Sequence, residues 1–120
     1  MTKTHKDLDV WQAAVAVAER TYTLTRTFPK EELFGLTAQM RRSAVPIASN
    51  IAEGAARRGA KEFAQYLYVA AGSASDRDTQ LEIAGRIGLG KPEELERARM
   101  ELSRVAMMLQ GLIRSLRPRT

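Results

Sequence analysis

The most constraining feature of this sequence lies near its end. Leu95, Ala98, Leu102, Val105, Leu109, Leu112 and Leu116 recur at spacings that alternate between three and four. On a helix of 3.6 residues per turn that spacing draws one apolar row along one side. A strand needs a period of two, which these positions lack. Alternating threes and fours are also what left-handed bundle packing requires. Pro92 can take the first helical position, where its missing N–H leaves no bond unmade. So long an apolar row must be covered by other helices.

Glycine and proline punctuate the rest of the chain. They fall at Pro29 and Gly35, at Gly54 and Gly59, at Gly88, Gly90 and Pro92, and at Pro118, which divides the sequence into four helical pieces. Asp9 can cap the first piece, with Gln12 at the reciprocal capping-box position. That piece carries two rows. One is Leu8, Trp11, Val15, Ala18, Tyr22 and Phe28; the other is Val10, Ala14, Val17 and Leu24. Trp11 sits in an apolar row, which favours packing over base stacking. Phe28-Pro29 ends the piece, because a residue before proline avoids the helical region. The spacing predicts a second helix over residues 36–57 and a third over 61–87. These elements make one all-α domain over residues 1–120, an antiparallel up-and-down four-helix bundle. Residues 1–6 and 118–120 read as flexible ends.

The second helix holds the most unusual stretch, Arg41–Gly54, RRSAVPIASNIAEG. Leu36, Met40, Ala44, Ile47 and Ile51 share one face. Val45, Ala48 and Ala52 form another, of small residues that another backbone could approach. Burial from two directions predicts a homo-oligomer with Val45, Ala48 and Ala52 at the interface. Arg42, Pro46, Asn50, Glu53 and Arg57 run between the two faces. Pro46 removes an N–H from the helix interior at a cost of about 3 kcal/mol, which predicts a kink or a break. On the third helix Arg77 interrupts the row Phe63, Leu67, Ala70, Ala74, Leu81, Ala84. A guanidinium cannot be buried alone, so Arg77 must snorkel out, line an oligomer channel or find a partner such as Glu53. Arg42, Asn50, Glu53 and Arg77 are therefore expected to form a structural polar seam. Gly72, in the small-residue run AAGSAS, predicts close approach of another helix.

RRSAVPIASNIAEG resembles the signature of a bacterial four-helix-bundle family encoded in intervening sequences of large-subunit ribosomal RNA genes. DLDVWQAA (7–14), FPKEELFGLTAQ (28–39), RRGAKEFAQYL (57–67) and GSASDRDTQLEIA (72–84) extend the resemblance in order over about residues 7–90. That family is similar to the accessory variability protein of diversity-generating retroelements, a basic, pentameric, nucleic-acid-binding bundle. The resemblance implies a homopentamer. Two positions depart from the family pattern: its proline usually falls where this chain has Ala48, and the position of Arg77 is usually apolar.

The chemistry that composition excludes is broad. There is no cysteine and one histidine, His5, so disulfides, a zinc site and a histidine-based triad have no residues to build on. The absence of cysteine fits a reducing cytoplasm. No apolar run reaches a membrane span, and residues 1–6 do not read as a signal peptide. No phosphate-binding glycine loop is present. No metal or cofactor is expected, and no catalytic residues can be named. The formal net charge is +5. Arg41, Arg42, Arg57, Arg58, Lys61, Arg114, Arg117 and Arg119 are the candidate phosphate contacts, and they predict electrostatic binding of RNA or DNA. Arg57, Arg58 and Lys61 lie in GAARRGAK, a link without an acid. The same cations also suit helix C-termini, which leaves a second reading: a scaffold that binds a protein partner, with its basic residues serving helix ends and solubility.

Overall fold

The computed structural model describes residues 4–118 and is all-α, with no strand among them. Its four long helices are α1 (Asp9–Thr25), α2 (Leu36–Ala55), α3 (Ala60–Arg86) and α4 (Pro92–Ser115). Each packs against its neighbour in the chain, and α4 closes back on α1, the neighbour relations of an up-and-down bundle. The row that begins at Leu95 is the α4 core as far as Leu109; Ile113 rather than Leu112 completes its last turn inside, and Leu116, just past the helix, is half-buried. On α1 the inner row is Val10, Ala14, Val17 and Leu24, with Thr21 among them. Trp11, from the other row, is half-buried against the core and meets the His5 ring edge-on at 5.0 Å.

Several local expectations change. Asp9 is the first residue of α1 and not its cap. The capping box lies one turn earlier, where Thr4 and Asp7 satisfy each other's backbone around a single 3-10 turn, His5–Asp7. The segment from Thr4, expected loose, is thus tied down, and the Gln12 side chain donates to the Lys6 carbonyl at 3.0 Å. Residues 1–3 and 119–120, the remainder of the expected flexible ends except Pro118, lie outside the described residues. Pro46 neither breaks α2 nor restarts it. The turn it disturbs begins at exposed Arg42, where water can serve the carbonyl that loses its helical donor.

The α3–α4 corner is built on Gly88, whose φ of 81° suits glycine. The Leu89 N–H reaches back to the Ala84 carbonyl at 2.9 Å and the Gly88 N–H to Gly85 at 3.3 Å. That pairing ends a helix when its closing residue is left-handed. Gly72 faces open space within the chain, so no helix of the same molecule approaches it. The close approach is at Gly54, where a Cβ would stand 2.8 Å from both Phe63 Cδ1 and Tyr66 Cβ.

On α2, Leu36, Met40, Ala44, Ile47 and Ile51 are buried, as their spacing predicts. Val45 is 48% exposed, while Ala48 and Ala52 are half-buried.

Candidate nucleic-acid interface

Residues 56–59 turn the chain at one end of the bundle. The tight crossing at Gly54 presses α2 against the first turns of α3 and brings Tyr66 beside the link. Arg57 Nη2 donates to Tyr66 Oη at 2.6 Å, and its guanidinium carbon lies 4.9 Å from the ring centroid. A guanidinium over an aromatic face is held by the ring quadrupole yet keeps its other donors in water. Arg58 and Lys61 follow, both exposed.

The last turn of α4 reaches the same end. Lys61, Gln65 and Tyr68 of α3 and Ile113, Leu116 and Arg117 from the close of α4 line one groove of about 500 Å³. Arg114 is exposed on that turn. Among the described residues, no salt bridge involves Arg57, Arg58, Lys61, Arg114 or Arg117. The acids at this end, Asp7, Asp9, Glu53 and Glu62, are all exposed.

At the α3–α4 corner two arginines share one acid. Glu82 accepts from Arg86 Nε at 2.8 Å and pairs with Arg99 Nη1 at 3.2 Å. The Arg86 hydrogen bond, with the Arg99 charge behind it, holds the Glu82 carboxyl below the ordinary carboxylate range. Along the bundle side, Arg20 of α1 makes a two-pronged bond to Glu101 of α4, at 2.5 and 3.0 Å.

Not every predicted phosphate contact joins the basic end. Arg41 and Arg42 lie near the start of α2, about 20 Å away along its axis at 1.5 Å per residue. Arg41 is committed to the fold: its Nε donates to Thr25 Oγ1 at 3.0 Å, and its guanidinium lies 4.8 Å from the Tyr22 ring centroid. Arg42 is exposed but separate. Arg119 lies outside the described residues.

The expected polar seam does not assemble. Asn50 Nδ2 donates to the Pro46 carbonyl at 2.8 Å, within its own helix. Glu53 and Arg42 are exposed. Arg77 neither snorkels out nor meets Glu53; it is 1% exposed in the bundle centre. It crosses to the diagonal helix, where Nε donates to Thr21 Oγ1 at 2.9 Å and Nη2 donates to the same oxygen. Thr21 Oγ1 in turn donates to the Val17 carbonyl at 2.8 Å. A hydroxyl has one proton and two lone pairs, so it can serve the carbonyl and the guanidinium together. Among the described residues no carboxylate pairs with Arg77, and its Nη1 has no partner. Burial pushes its pKa down to about 10.

Thr21, Thr25, Tyr66 and Tyr68 are not among the residues that the sequence pattern singles out. A faint signal existed for the threonines: Thr21 stands four residues after Val17 and three before Leu24, in the middle of an apolar row. For the tyrosines the signal was their place in the first turns after a basic link.

A family model described as 23S rRNA-intervening sequence protein matches residues 6–111. The chain belongs to that family. Among solved structures it is similar to a protein of unknown function from the S23 ribosomal protein family of Bacteroides thetaiotaomicron. The two share 23% identity at a TM-score of 0.81, over 88% of this chain and 95% of that one. At that identity the likeness speaks for the fold of the intervening-sequence family member described here. No curated protein matches the sequence. Among the described residues no cluster of three or more acids, histidines or cysteines could hold a metal ion. No described helix is long and apolar enough to cross a membrane.

Proposed function

We propose that this intervening-sequence family member is a non-enzymatic, self-associating four-helix bundle of the cytoplasm that binds RNA or DNA through its basic end. The observation that carries the reading is the contrast between its cations. Arg86 and Arg99 of the α3–α4 corner share Glu82, whereas Arg57, Arg58, Lys61, Arg114 and Arg117 gather at the other end without an ion-pair partner among the described residues. Contacts of this kind go to phosphates and carry little base readout. Self-association is supported by the open α2 face around Val45 and by the uncovered run at Gly72. A pentamer, which the family's likeness to the retroelement accessory protein implies, would multiply a +5 charge five times.

Two measurements test this. Light scattering gives the assembled mass, and titration with nucleic acid across a salt series gives the electrostatic share. The expected result is a multimer whose log affinity falls steeply and linearly with log salt. A monomer with no binding at low salt overturns the reading. A scaffold role is the second reading, favoured by Met107 at 71% exposure and its neighbour Met100 on the outer side of α4. Nuclease-resistant capture of one specific protein supports that alternative.

A further inference from the structure

The chain has three tyrosines, and they are treated differently. Tyr22 carries the Arg41 guanidinium and Tyr66 carries that of Arg57. Among the described residues no guanidinium or ring stacks on Tyr68, which is 54% exposed in the groove between α3 and the end of α4. Lys61, Gln65 and Tyr68 stand at i, i+4 and i+7, so they share one side of α3. That strip is about 10 Å long at 1.5 Å per residue. Arg117 faces it across the groove, and Ile113 and Leu116 form an apolar wall. A cation, an amide, an aromatic ring and a second cation therefore line one concave surface of about 500 Å³.

The geometry points to a site for an unpaired nucleotide: its base stacks on Tyr68 against the apolar wall, and its flanking phosphates meet Lys61 and Arg117. This rests on the nucleic-acid reading above and narrows it to single strands, loops or ends. A duplex keeps its bases stacked on one another and offers none to a side chain, whereas an unpaired base has an open π-face. The Gln65 amide can meet a base edge with either a donor or an acceptor, which fits tolerance of sequence. Tyrosine stacking does not depend on base identity, and the cations on either side fix the backbone.

The test compares a single strand with a duplex of equal length, using the full chain. Tyr68→Leu keeps an apolar side chain but removes the ring. The expected result is that the single strand binds more tightly than the duplex. Tyr68→Leu then weakens single-strand binding about tenfold, leaving its salt slope and the duplex affinity unchanged. Lys61→Gln with Arg117→Gln flattens the single-strand slope, by about 0.7 for each phosphate no longer neutralised. Phe34→Ala is the control for a merely sticky aromatic, since Phe34 is 91% exposed near the start of α2. It should change neither affinity. Unchanged single-strand affinity in Tyr68→Leu, or equal losses for strand and duplex, overturns the groove while leaving the basic end intact. Failure of the unaltered protein to bind either nucleic acid at low salt overturns both.

Discussion

Arg77 and Arg57 carry the same side chain in opposite settings. Arg77 lies in the bundle centre, bonded to one threonine hydroxyl and paired with no carboxylate among the described residues. Arg57 lies at the end of the bundle, stacked on Tyr66 and open to water. Taking a charge out of water costs several kcal/mol unless bonds replace its hydration. Arg77 therefore draws on the stability of the fold, and its one firm contact ties α3 to the diagonal helix α1. Arg57 loses little hydration and keeps donors to offer. The difference teaches that charge count says little about binding; what matters is which cations the fold has already used.

The largest expected effect tests the buried side. Thr21→Val keeps the shape and removes the hydroxyl that Arg77 and Val17 share. It should destabilise the protein by about 3 kcal/mol, because the guanidinium is then buried without a partner. Adding Arg77→Met should recover most of that loss, and denaturant unfolding of all four members of the cycle measures the coupling. If Thr21→Val is neutral, the hydroxyl does not support the charge.

Next comes Gly54→Ala, which tests how the basic end is held. A methyl there meets Phe63 and Tyr66 at 2.8 Å. Overpacking of that kind costs about 2 kcal/mol. It should also loosen Arg57 from Tyr66, visible as a lower thermal midpoint together with weaker nucleic-acid binding. A midpoint equal to that of the unaltered protein contradicts the tight crossing.

The pH dependence separates the two arginines further. Burial lowers the pKa of Arg77 in the folded chain to about 10, well below the ordinary arginine value. Below about pH 10 both folded and unfolded chains hold the proton, so the full penalty of burial is present. Between the two values the unfolded chain binds more protons, and stability rises with pH. Relative to Arg77→Met, the unaltered protein should gain about 1 kcal/mol between about pH 8 and about pH 11, at 1.36 kcal/mol per unit. Comparing the two by chemical unfolding cancels the lysines and tyrosines that titrate in the same range. A constant difference refutes the shift.

The smallest effect on stability belongs to Arg57→Glu with Arg58→Glu, within about 0.5 kcal/mol, as for exposed sites. Nucleic-acid binding should nevertheless fall sharply. Loss of the fold in this variant makes the two arginines structural.

The bundle was legible in the sequence because its signals are local and repeated. The threes and fours of α4 and the Leu36–Ile51 row of α2 each fix which side goes inward. On α1 two rows compete, and only the packed helices select Val10, Ala14, Val17 and Leu24 as the inner one. Arg77 could be recognised as a misfit in its row, but its partner could not. Thr21 lies 56 residues away on the diagonal helix, and periodicity carries no information across the bundle. The basic residues were visible as a set, yet Arg41 was counted with them. Its commitment to Thr25 and Tyr22 depends on how α1 and α2 pack. Tyr68 offered only its place in the first turns after a basic link, and an aromatic on a helix reads first as packing.

The most direct test of the basic end as the binding end is amide hydrogen exchange of the full chain with and without bound nucleic acid. Protection is expected over residues 55–68 and 112–118, with none around the Glu82–Arg99 corner. Protection confined to that corner, or spread evenly over the bundle, would contradict the account.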